Sequence, residues 1–339
     1  MAGPEAQASV EEFAKRIAIL EAGASAEMVS AYAPVWRDLQ RDIIRLVTIS
    51  QTQNLTPYQT LRLARYKTLE RKLLSNVSKF AESARGQITR AQLAAVGLAQ
   101  TSARATAGVA LPQGIDFTVL SGIGIDWVEI PEDALVNFIG IAGDGQPVGN
   151  LLATLGPEMA TSVKAEVASG LALGKSPRTV ANTLRKTAGM PLSKALLISR
   201  TETNRAYREA SRLQYAQNSD IIKGYRRLAT KSNKTCVACI ALDGTLYETQ
   251  EPLDSHPNCR CAIVPETITY RDLGLDVDMP ETAPTAEDWL KTRPEGEQIK
   301  IMGKQRHEQW QSGTPLTKFV QINESSVWGK SATVAPLSK

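Results

Sequence analysis

The spacing of four cysteines and one histidine constrains this chain more than any other feature. All 4 cysteines of the 339 residues lie between positions 236 and 261, in the pattern Cys236-x2-Cys239, then His256-x2-Cys259-x-Cys261. Two sets of soft ligands separated by a loop are typical of a tetrahedral zinc site. We therefore predict a structural zinc ion held by four of these five residues. The preferred set is Cys236, Cys239, His256 and Cys259, with Cys261 as a substitute ligand or a packed neighbour.

Two alternatives to a metal site stay open at this point: disulfide bonds, or four buried free thiols. The first residues, Met1-Ala-Gly-Pro-Glu-Ala-Gln, lack the charged and apolar segments of a signal peptide. We therefore expect folding in a reducing cytoplasm, which favours a metal over disulfides. The chain contains no run of about eighteen apolar residues, so we expect no membrane span.

Apolar residues recur at helical spacing through most of the chain, whereas strand-like segments are short. We predict a mainly α fold with a small β element (α+β). The expected regions are an N-terminal helical region with a helical hairpin (1–110), a connector with helices (111–190), a Cys/His-rich core (191–266), and a linker with a C-terminal docking tail (267–339).

Several local elements follow from turn and capping residues. Thr56-Pro57 predicts a helix start, because a capping hydroxyl precedes a proline at the first helical position. Gly23 and Pro34 predict an end, bend or break in the first helices. Asp243-Gly244 predicts a tight hairpin turn between apolar segments. Residues 221–229 and 260–264 are expected as strands, and residues 319–328 as a short helical piece.

Positive charge is concentrated in two places, although the net charge of the chain is only +4. Residues 185–234 contain 12 Arg or Lys against Glu202, Glu209 and Asp220, a local excess of 12 − 3 = 9. From this span we predict a DNA-binding set, which comprises Arg205, Arg208, Arg212, Arg226 and Arg227. A second basic stripe follows one hairpin helix and comprises Arg62, Arg65, Lys67, Arg71, Lys72 and Lys79. It is either a solvated face or a contact with DNA or an acidic partner.

Arg200, Glu202 and Arg205 form a compact charged group on one predicted helix. Glu202 and Arg205 are three residues apart and can pair along the helix surface. The group is either an ordinary surface salt bridge or a charge network that anchors the helix to the following β element.

The order of these motifs resembles the phage head-morphogenesis domain found in the minor head protein F of phage Mu and its relatives. The matching features are Arg200-Thr-Glu202-x-x-Arg205 on a helix, a strand, Cys236-x-x-Cys239, Leu242-Asp-Gly244, and His256-Pro-Asn-Cys259-Arg-Cys261. The resemblance covers roughly residues 150–330. This chain departs from the pattern at 225–232, where family members often have Trp and Asp.

The resemblance implies a structural minor component of the tailed-phage head rather than an enzyme. It implies assembly in the host cytoplasm, a place in the virion at the head interior or portal vertex, and a part in head assembly and in DNA packaging or retention. The partners it implies are the portal protein, the major capsid protein and double-stranded DNA, with no membrane and no small-molecule substrate.

Two alternative functions are a zinc-stapled DNA-binding module and a metal-dependent nuclease. A nuclease site needs carboxylates and histidines around an open metal position. The second histidine, His307, lies in the tail beside Glu308, and no acidic cluster accompanies the cysteines.

Overall fold

The computed structural model describes residues 3–274, 283–325 and 328–337. The helices in these residues are α1 (Pro4–Thr52), α2 (Pro57–Arg62), α3 (Ala64–Ala110), α4 (Phe117–Gly122), α5 (Glu132–Leu135), α6 (Val148–Ala153), α7 (Leu155–Ala172), α8 (Pro177–Ala188), α9 (Met190–Gln217), α10 (Val237–Ala241), α11 (Ala286–Lys291), α12 (Glu295–Met302) and α13 (Lys304–Gln311). The strands are β1 (Ile222–Leu228), β2 (Leu246–Tyr247), β3 (Ala262–Thr267), β4 (Val320–Ser325) and β5 (Gly329–Val334). With 65% helix and 9% strand, the predicted class is confirmed.

The first helix is longer than the sequence predicted. It continues through Gly23 and Pro34, where an end, bend or break was expected. Proline removes one backbone hydrogen bond, and glycine costs about 1 kcal/mol relative to alanine in a helix. The burial of apolar side chains such as Met28 and Ile43, both 0% exposed, offsets these local costs.

The predicted helix start at Thr56-Pro57 is confirmed in detail. The Thr56 side chain accepts a hydrogen bond from the backbone N–H of Gln59, and the Gln59 side chain accepts one from the backbone N–H of Thr56. This reciprocal pair is a capping box. The helix it starts is only α2, because Leu63 leaves the helical conformation before α3 begins.

The described contacts group the chain into two units that cut across the four predicted ranges. The hairpin unit comprises Glu21–Ala91 with Gln146–Arg200, and the Cys/His unit comprises Met1–Leu20, Gln92–Gly145 and Thr201–Lys339. Residues 275–282, within the predicted linker, lie outside the described residues.

Within the hairpin unit, parts of α1 and α3 run antiparallel, as the sequence predicted. The rings of Tyr32 and Phe80 meet edge to face at 4.8 Å, and Lys72 lies 3.3 Å from Asp42. The Tyr32 hydroxyl also lies 3.5 Å from the sulfur of Met159 in α7. The unit is therefore a helical hairpin that packs on the shorter helices of residues 146–200.

Within the Cys/His unit, a three-stranded antiparallel sheet has the order β2-β1-β3. Gly224 lies in β1 where a Cβ atom would come within 2.7 Å of the Tyr247 carbonyl oxygen, so the close approach of β2 requires glycine there. The Asp243-Gly244 turn joins α10 to β2. The sequence predicted a hairpin turn between two strands here. The segment after Cys236 is helical, so the turn follows a helix instead of a strand.

The C-terminal tail packs on the same hydrophobic core as the sheet. Leu290, Met302, Leu316 and Phe319 are buried there together with Cys239, Cys259 and Cys261. The predicted helical piece over 319–328 is wrong: β4 covers most of it and pairs with β5 in a hairpin. The pairing partner lies at 329–334, so local periodicity did not reveal the strand.

The extended segment of residues 127–130 is held by side chains at the end of α9 and just after it, not by a neighbouring strand. Val128 donates its N–H to Asn218, Ile130 donates its N–H to Gln214, and the Asn218 amide donates back to the Val128 carbonyl. These contacts pair backbone groups of Val128 and Ile130 that no strand pairs.

Candidate metal centre

The first pair of cysteines stands at the start of α10. Cys236 is the residue before the helix, and its sulfur accepts a hydrogen bond from the Cys239 backbone N–H at 3.4 Å. One helical turn therefore places both sulfurs on the same side of the chain. The strand β1 ends at Leu228, so the pair follows the sheet directly.

The second group comes from the loop that leads into β3. The Cys259 N–H donates to the His256 carbonyl at 3.0 Å, which closes a tight turn. Asn258 occupies the left-handed region with φ 65°, a conformation that asparagine tolerates better than most residues. The turn directs Cys259 and Cys261 inward, where they are 2% and 3% exposed.

The five predicted ligands meet in two overlapping groups. One contains Cys236, Cys239 and His256, the other contains Cys239, Cys259 and Cys261, and the ligand atoms of each group lie within 4.8 Å of one another. His256 Nε2 lies 3.2 Å from the sulfurs of both Cys236 and Cys239, and the Cys239 and Cys259 sulfurs are 3.8 Å apart. Two sulfurs on one tetrahedral zinc stand about 3.8 Å apart, given Zn–S bonds of about 2.3 Å.

The space among these side chains suits a single ion. All five line a cavity of about 20 Å³, roughly the volume that one water-sized sphere requires. The Nδ1 atom of His256 lies 2.7 Å from the Pro257 carbonyl oxygen and donates its proton there. This contact fixes the tautomer that leaves Nε2 free to bind a metal.

The side chains of the cluster differ in the protonation state that a metal would meet. The hydrogen bond from Cys239 lowers the pKa of Cys236 to about 4, and the same contact raises the pKa of Cys239. Burial lowers the pKa of His256, but its hydrogen bond with Cys236 and the neighbouring sulfur charges outweigh burial and raise it to about 9. At neutral pH Cys236 is therefore a thiolate, the form that binds metal, whereas Cys239 and His256 each have to release a proton when a metal binds.

Helix α9 holds the loop that carries the second group. Thr201 Oγ1 accepts a hydrogen bond from the Asn258 N–H at 3.1 Å. The guanidinium of Arg208 donates to the Cys261 carbonyl at 3.1 Å and to the Ser255 hydroxyl at 2.9 Å. Sequence reasoning missed the role of Thr201 altogether and assigned Arg208 to DNA.

Asp243, the acidic residue of the Leu-Asp-Gly motif, ties three segments together. One carboxylate oxygen accepts the N–H of Ala229 after β1, and the other accepts the N–H of Ala286 at the start of α11, each at 2.7 Å. The motif therefore fixes the turn after α10 relative to the sheet and the tail. The Asp-Gly pair in the sequence predicts a turn, but it does not predict hydrogen bonds to Ala229 and Ala286.

Arg227 is a buried cation next to the cluster. It contacts Asp254 and the Tyr247 hydroxyl, while its Nε and Nη1 atoms are buried without a hydrogen-bond partner among the described residues. Burial works against its charge, but the charges of Cys261, Tyr247, Asp254 and Cys239 keep the pKa of Arg227 above its ordinary value. The guanidinium in turn favours the negatively charged form of the neighbouring Cys261 sulfur.

The arginines predicted to bind DNA are engaged within the protein. Arg208 and Arg227 are 3% and 1% exposed. Arg226 forms a two-armed ion pair with Glu266 at 2.7 and 2.9 Å, and Arg212 contacts Glu209 and the Thr249 carbonyl. Arg205 donates to the Gly143 carbonyl at 2.8 Å. Their local positive charge stabilises the Cys/His unit internally, and burial keeps Arg208 and Arg227 away from any DNA-facing surface.

The predicted charge group has a different arrangement from the one expected. Glu202 Oε1 accepts the Gly143 N–H at 3.4 Å, while Arg205 holds the Gly143 carbonyl. A Cβ atom on Gly143 would lie 1.5 Å from Arg205 Nη1, so any other residue here would displace the end of the Arg205 side chain. Arg200 pairs with Glu21 at 3.0 Å. Glu202 and Arg205 thus anchor a glycine loop, whereas the contacts to the β element come from Thr201 and Arg208.

His307, the histidine considered for a nuclease site, is buried in the tail. It is 5% exposed, and its Nε2 lies 2.8 Å from the side-chain oxygen of Gln298. Its ring also packs near Trp310 at 6.1 Å between centroids. These contacts assign His307 to the packing of α12 and α13.

Comparison with known proteins identifies the part of the chain that carries the cluster. Residues 161–264 match the family described as Phage Mu protein F like protein. No curated protein and no solved structure matches the chain. No helix among the described residues is both long and apolar enough to cross a bilayer. The match confirms the resemblance drawn from the motifs and places it at residues 161–264.

Proposed function

We propose that this chain is a structural protein of a tailed-phage head whose Cys/His unit is held together by one zinc ion. The observation that carries the proposal is the family match over residues 161–264, which includes most of α7, all of α9 and β1, both Cys236 and Cys239, and the loop to Cys261. The same segment supplies every candidate metal ligand and the residues that hold them.

Zinc is the metal that this donor set suits best. Thiolate and imidazole ligands select zinc or another soft metal, and a tetrahedral Cys/His set leaves no open position for substrate. We assign Cys236, Cys239, His256 and Cys259 as the ligands, with Cys261 as a packed neighbour. Such a site is structural, so the ion would fix the loop before β3 against α10.

A nuclease function has less support. The two ligand groups contain sulfur and imidazole but no carboxylate, whereas metal-dependent nucleases use metal ions with open positions to activate water. His307 is buried against Gln298. We therefore expect no cleavage of DNA above background with magnesium, manganese or zinc.

Within the head, we propose that the chain associates with the portal protein or the major capsid protein. The test is co-expression of the chain with the portal and capsid proteins of the same phage, followed by sedimentation of the assembled heads. The full chain should co-sediment with heads. A Cys236→Ser, Cys239→Ser variant should be lost from them, because the unit that carries the family pattern loses its metal.

The matched control carries Lys300→Gln and Lys318→Gln, which change exposed residues of the same unit far along the chain from the cluster. It should co-sediment like the unaltered chain. Heads that form normally and contain none of the unaltered chain would contradict the proposed function.

A further inference from the structure

The end of the helical hairpin carries a cluster of positive charge that the Cys/His unit does not use. We call residues 37–45 of α1, together with residues 62–72 from the end of α2 into α3, the basic hairpin tip. These two stretches contain eight Arg or Lys and three acidic residues, a net charge of 8 − 3 = +5. This exceeds the net charge of the whole chain, +4.

The two helices present these charges along a shared groove. A groove of about 310 Å³ is lined by Arg45, Arg65 and Lys72, and a second of about 260 Å³ is lined by Arg41 and Lys72. Lys72 and Asp42 belong to both, so the two grooves are continuous. Residues four apart on a helix lie about 6 Å apart along its axis. The charges therefore form a row on each side of the groove.

Several of these charges are not neutralised by the protein. Asp42 pairs with Lys72 and Asp38 pairs with Arg41. Arg45, Arg65 and Lys67 are exposed and form no ion pair with any described residue. Their full charge is thus available to a ligand outside the chain.

We propose that the basic hairpin tip binds the phosphate backbone of duplex DNA. Arginine and lysine side chains recognise phosphates without regard to base sequence, and they gain free energy from the release of counterions. The inference rests on the proposed function, because a protein inside the phage head is surrounded by packaged DNA. The proposed DNA contact therefore lies in the hairpin unit, whereas the sequence alone predicted it at arginines of α9 and β1.

DNA fits this surface better than an acidic protein does. The centre of a protein–protein interface is enriched in aromatic and other apolar residues and depleted in lysine. None of the large apolar side chains that the described residues expose lies within 37–45 or 62–72. Tyr58, 67% exposed, stands beside Arg62, which contacts its ring and hydroxyl. The tip is therefore a charged surface without the apolar centre that a protein partner needs.

The test compares two full-length triple variants with the unaltered chain. The tip variant carries Arg45→Gln, Arg65→Gln and Lys67→Gln. The control variant carries Lys300→Gln, Lys318→Gln and Lys330→Gln, which remove the same charge from exposed positions of the Cys/His unit. Binding to a short fluorescein-labelled duplex is measured by anisotropy between about 50 and 200 mM salt. Thermal unfolding of each variant checks that the fold is unchanged.

At low salt, the affinity of the tip variant for the duplex should be lower by about tenfold or more. The slope of log affinity against log salt concentration should become shallower by about one unit for each lost phosphate contact. The control should bind like the unaltered chain. Equal loss in both variants would mean attraction by net charge alone and would overturn the proposal. Unaltered DNA binding by the tip variant, or no DNA binding by the unaltered chain, would also overturn it.

Sedimentation with assembled heads separates this inference from the proposed function. A tip variant that loses DNA binding and still enters heads supports both. A tip variant that keeps its DNA binding but is lost from heads would assign the tip to an acidic protein partner, against the proposal. Absence of the unaltered chain from heads would contradict the proposed function alone, whatever the DNA measurement gave.

Discussion

Arg226 and Arg227 are neighbours in β1, yet their surroundings are opposite. Successive side chains of a strand point to opposite faces of the sheet. Arg226 therefore reaches Glu266 near the surface, with the two side chains 19% and 29% exposed, while the side chain of Arg227 is fully buried against Asp254. The sequence shows two adjacent arginines, and only the pairing of β1 with β2 and β3 shows which one is internal.

This contrast predicts unequal effects of the same substitution. Arg227→Met should reduce the free energy of unfolding by roughly 3–5 kcal/mol, because it leaves the Asp254 charge buried without its partner. Arg226→Met should cost about 1 kcal/mol or less, because its ion pair is partly exposed. Chemical denaturation of both variants with metal bound measures the difference. Equal destabilisation would contradict the distinction between the two positions.

Glu202 predicts a pH dependence of stability. Burial raises the pKa of Glu202 to about 7, although the charge of Arg205 and the hydrogen bond from Gly143 oppose the shift. Its second oxygen, Oε2, is buried and has no hydrogen-bond partner among the described residues. A raised pKa means that the folded chain binds this proton more tightly than the unfolded chain. The contribution of Glu202 to stability therefore falls as pH rises from its unfolded pKa of 4.5 to about 7.

The measurement compares the unaltered chain with Glu202→Gln, which cannot ionise. Between about pH 5.5 and 8.5 the unaltered chain should lose about 2 kcal/mol relative to the variant, given about 1.4 kcal/mol for each pKa unit. Unfolding curves at several pH values determine this difference. A constant difference across the range would show that Glu202 keeps its charge when the chain folds.

At the scale of elements, local signals predicted some features and not others. The capping box at Thr56 and the strand β1 were visible because their determinants lie within a few residues. Pro34 predicted an end, bend or break in the helix. The helix α1 is continuous there because its side chains are buried against parts of the chain that are distant in sequence. The β4-β5 hairpin was not predicted, because each of its strands is defined by pairing with the other strand and not by a pattern of residues within itself.

The candidate metal site also belongs to the scale of elements, and removal of the proposed ion should have a local effect. Treatment with a chelator should speed amide hydrogen exchange over residues 222–267, where the sheet, α10 and the ligand loop lie. Exchange over residues 28–47 of α1 and 66–88 of α3 should change little, because the buried residues of these stretches do not belong to the hydrophobic core that contains the cysteines. Faster exchange throughout the chain would contradict a local role of the metal.

At the scale of the molecule, the sequence predicted which side chains come together better than it predicted the structure around them. The spacing of five soft side chains indicated a shared cluster, and their ligand atoms do lie close together. Thr201, Arg208 and Asp243 gave no such signal, because a hydroxyl, a guanidinium or a carboxylate acquires its role from partners brought close by folding. Arg208 was assigned to DNA on local charge, and its burial against the ligand loop became visible only in three dimensions.

We propose above that one zinc ion holds the Cys/His unit together, and elemental analysis of the full chain, purified without chelator, measures that ion. We expect about one zinc per chain. The Cys236→Ser, Cys239→Ser variant should lose the zinc and unfold at a lower temperature. A metal-free chain that unfolds at the same temperature as the double variant would show that no zinc stabilises the unit.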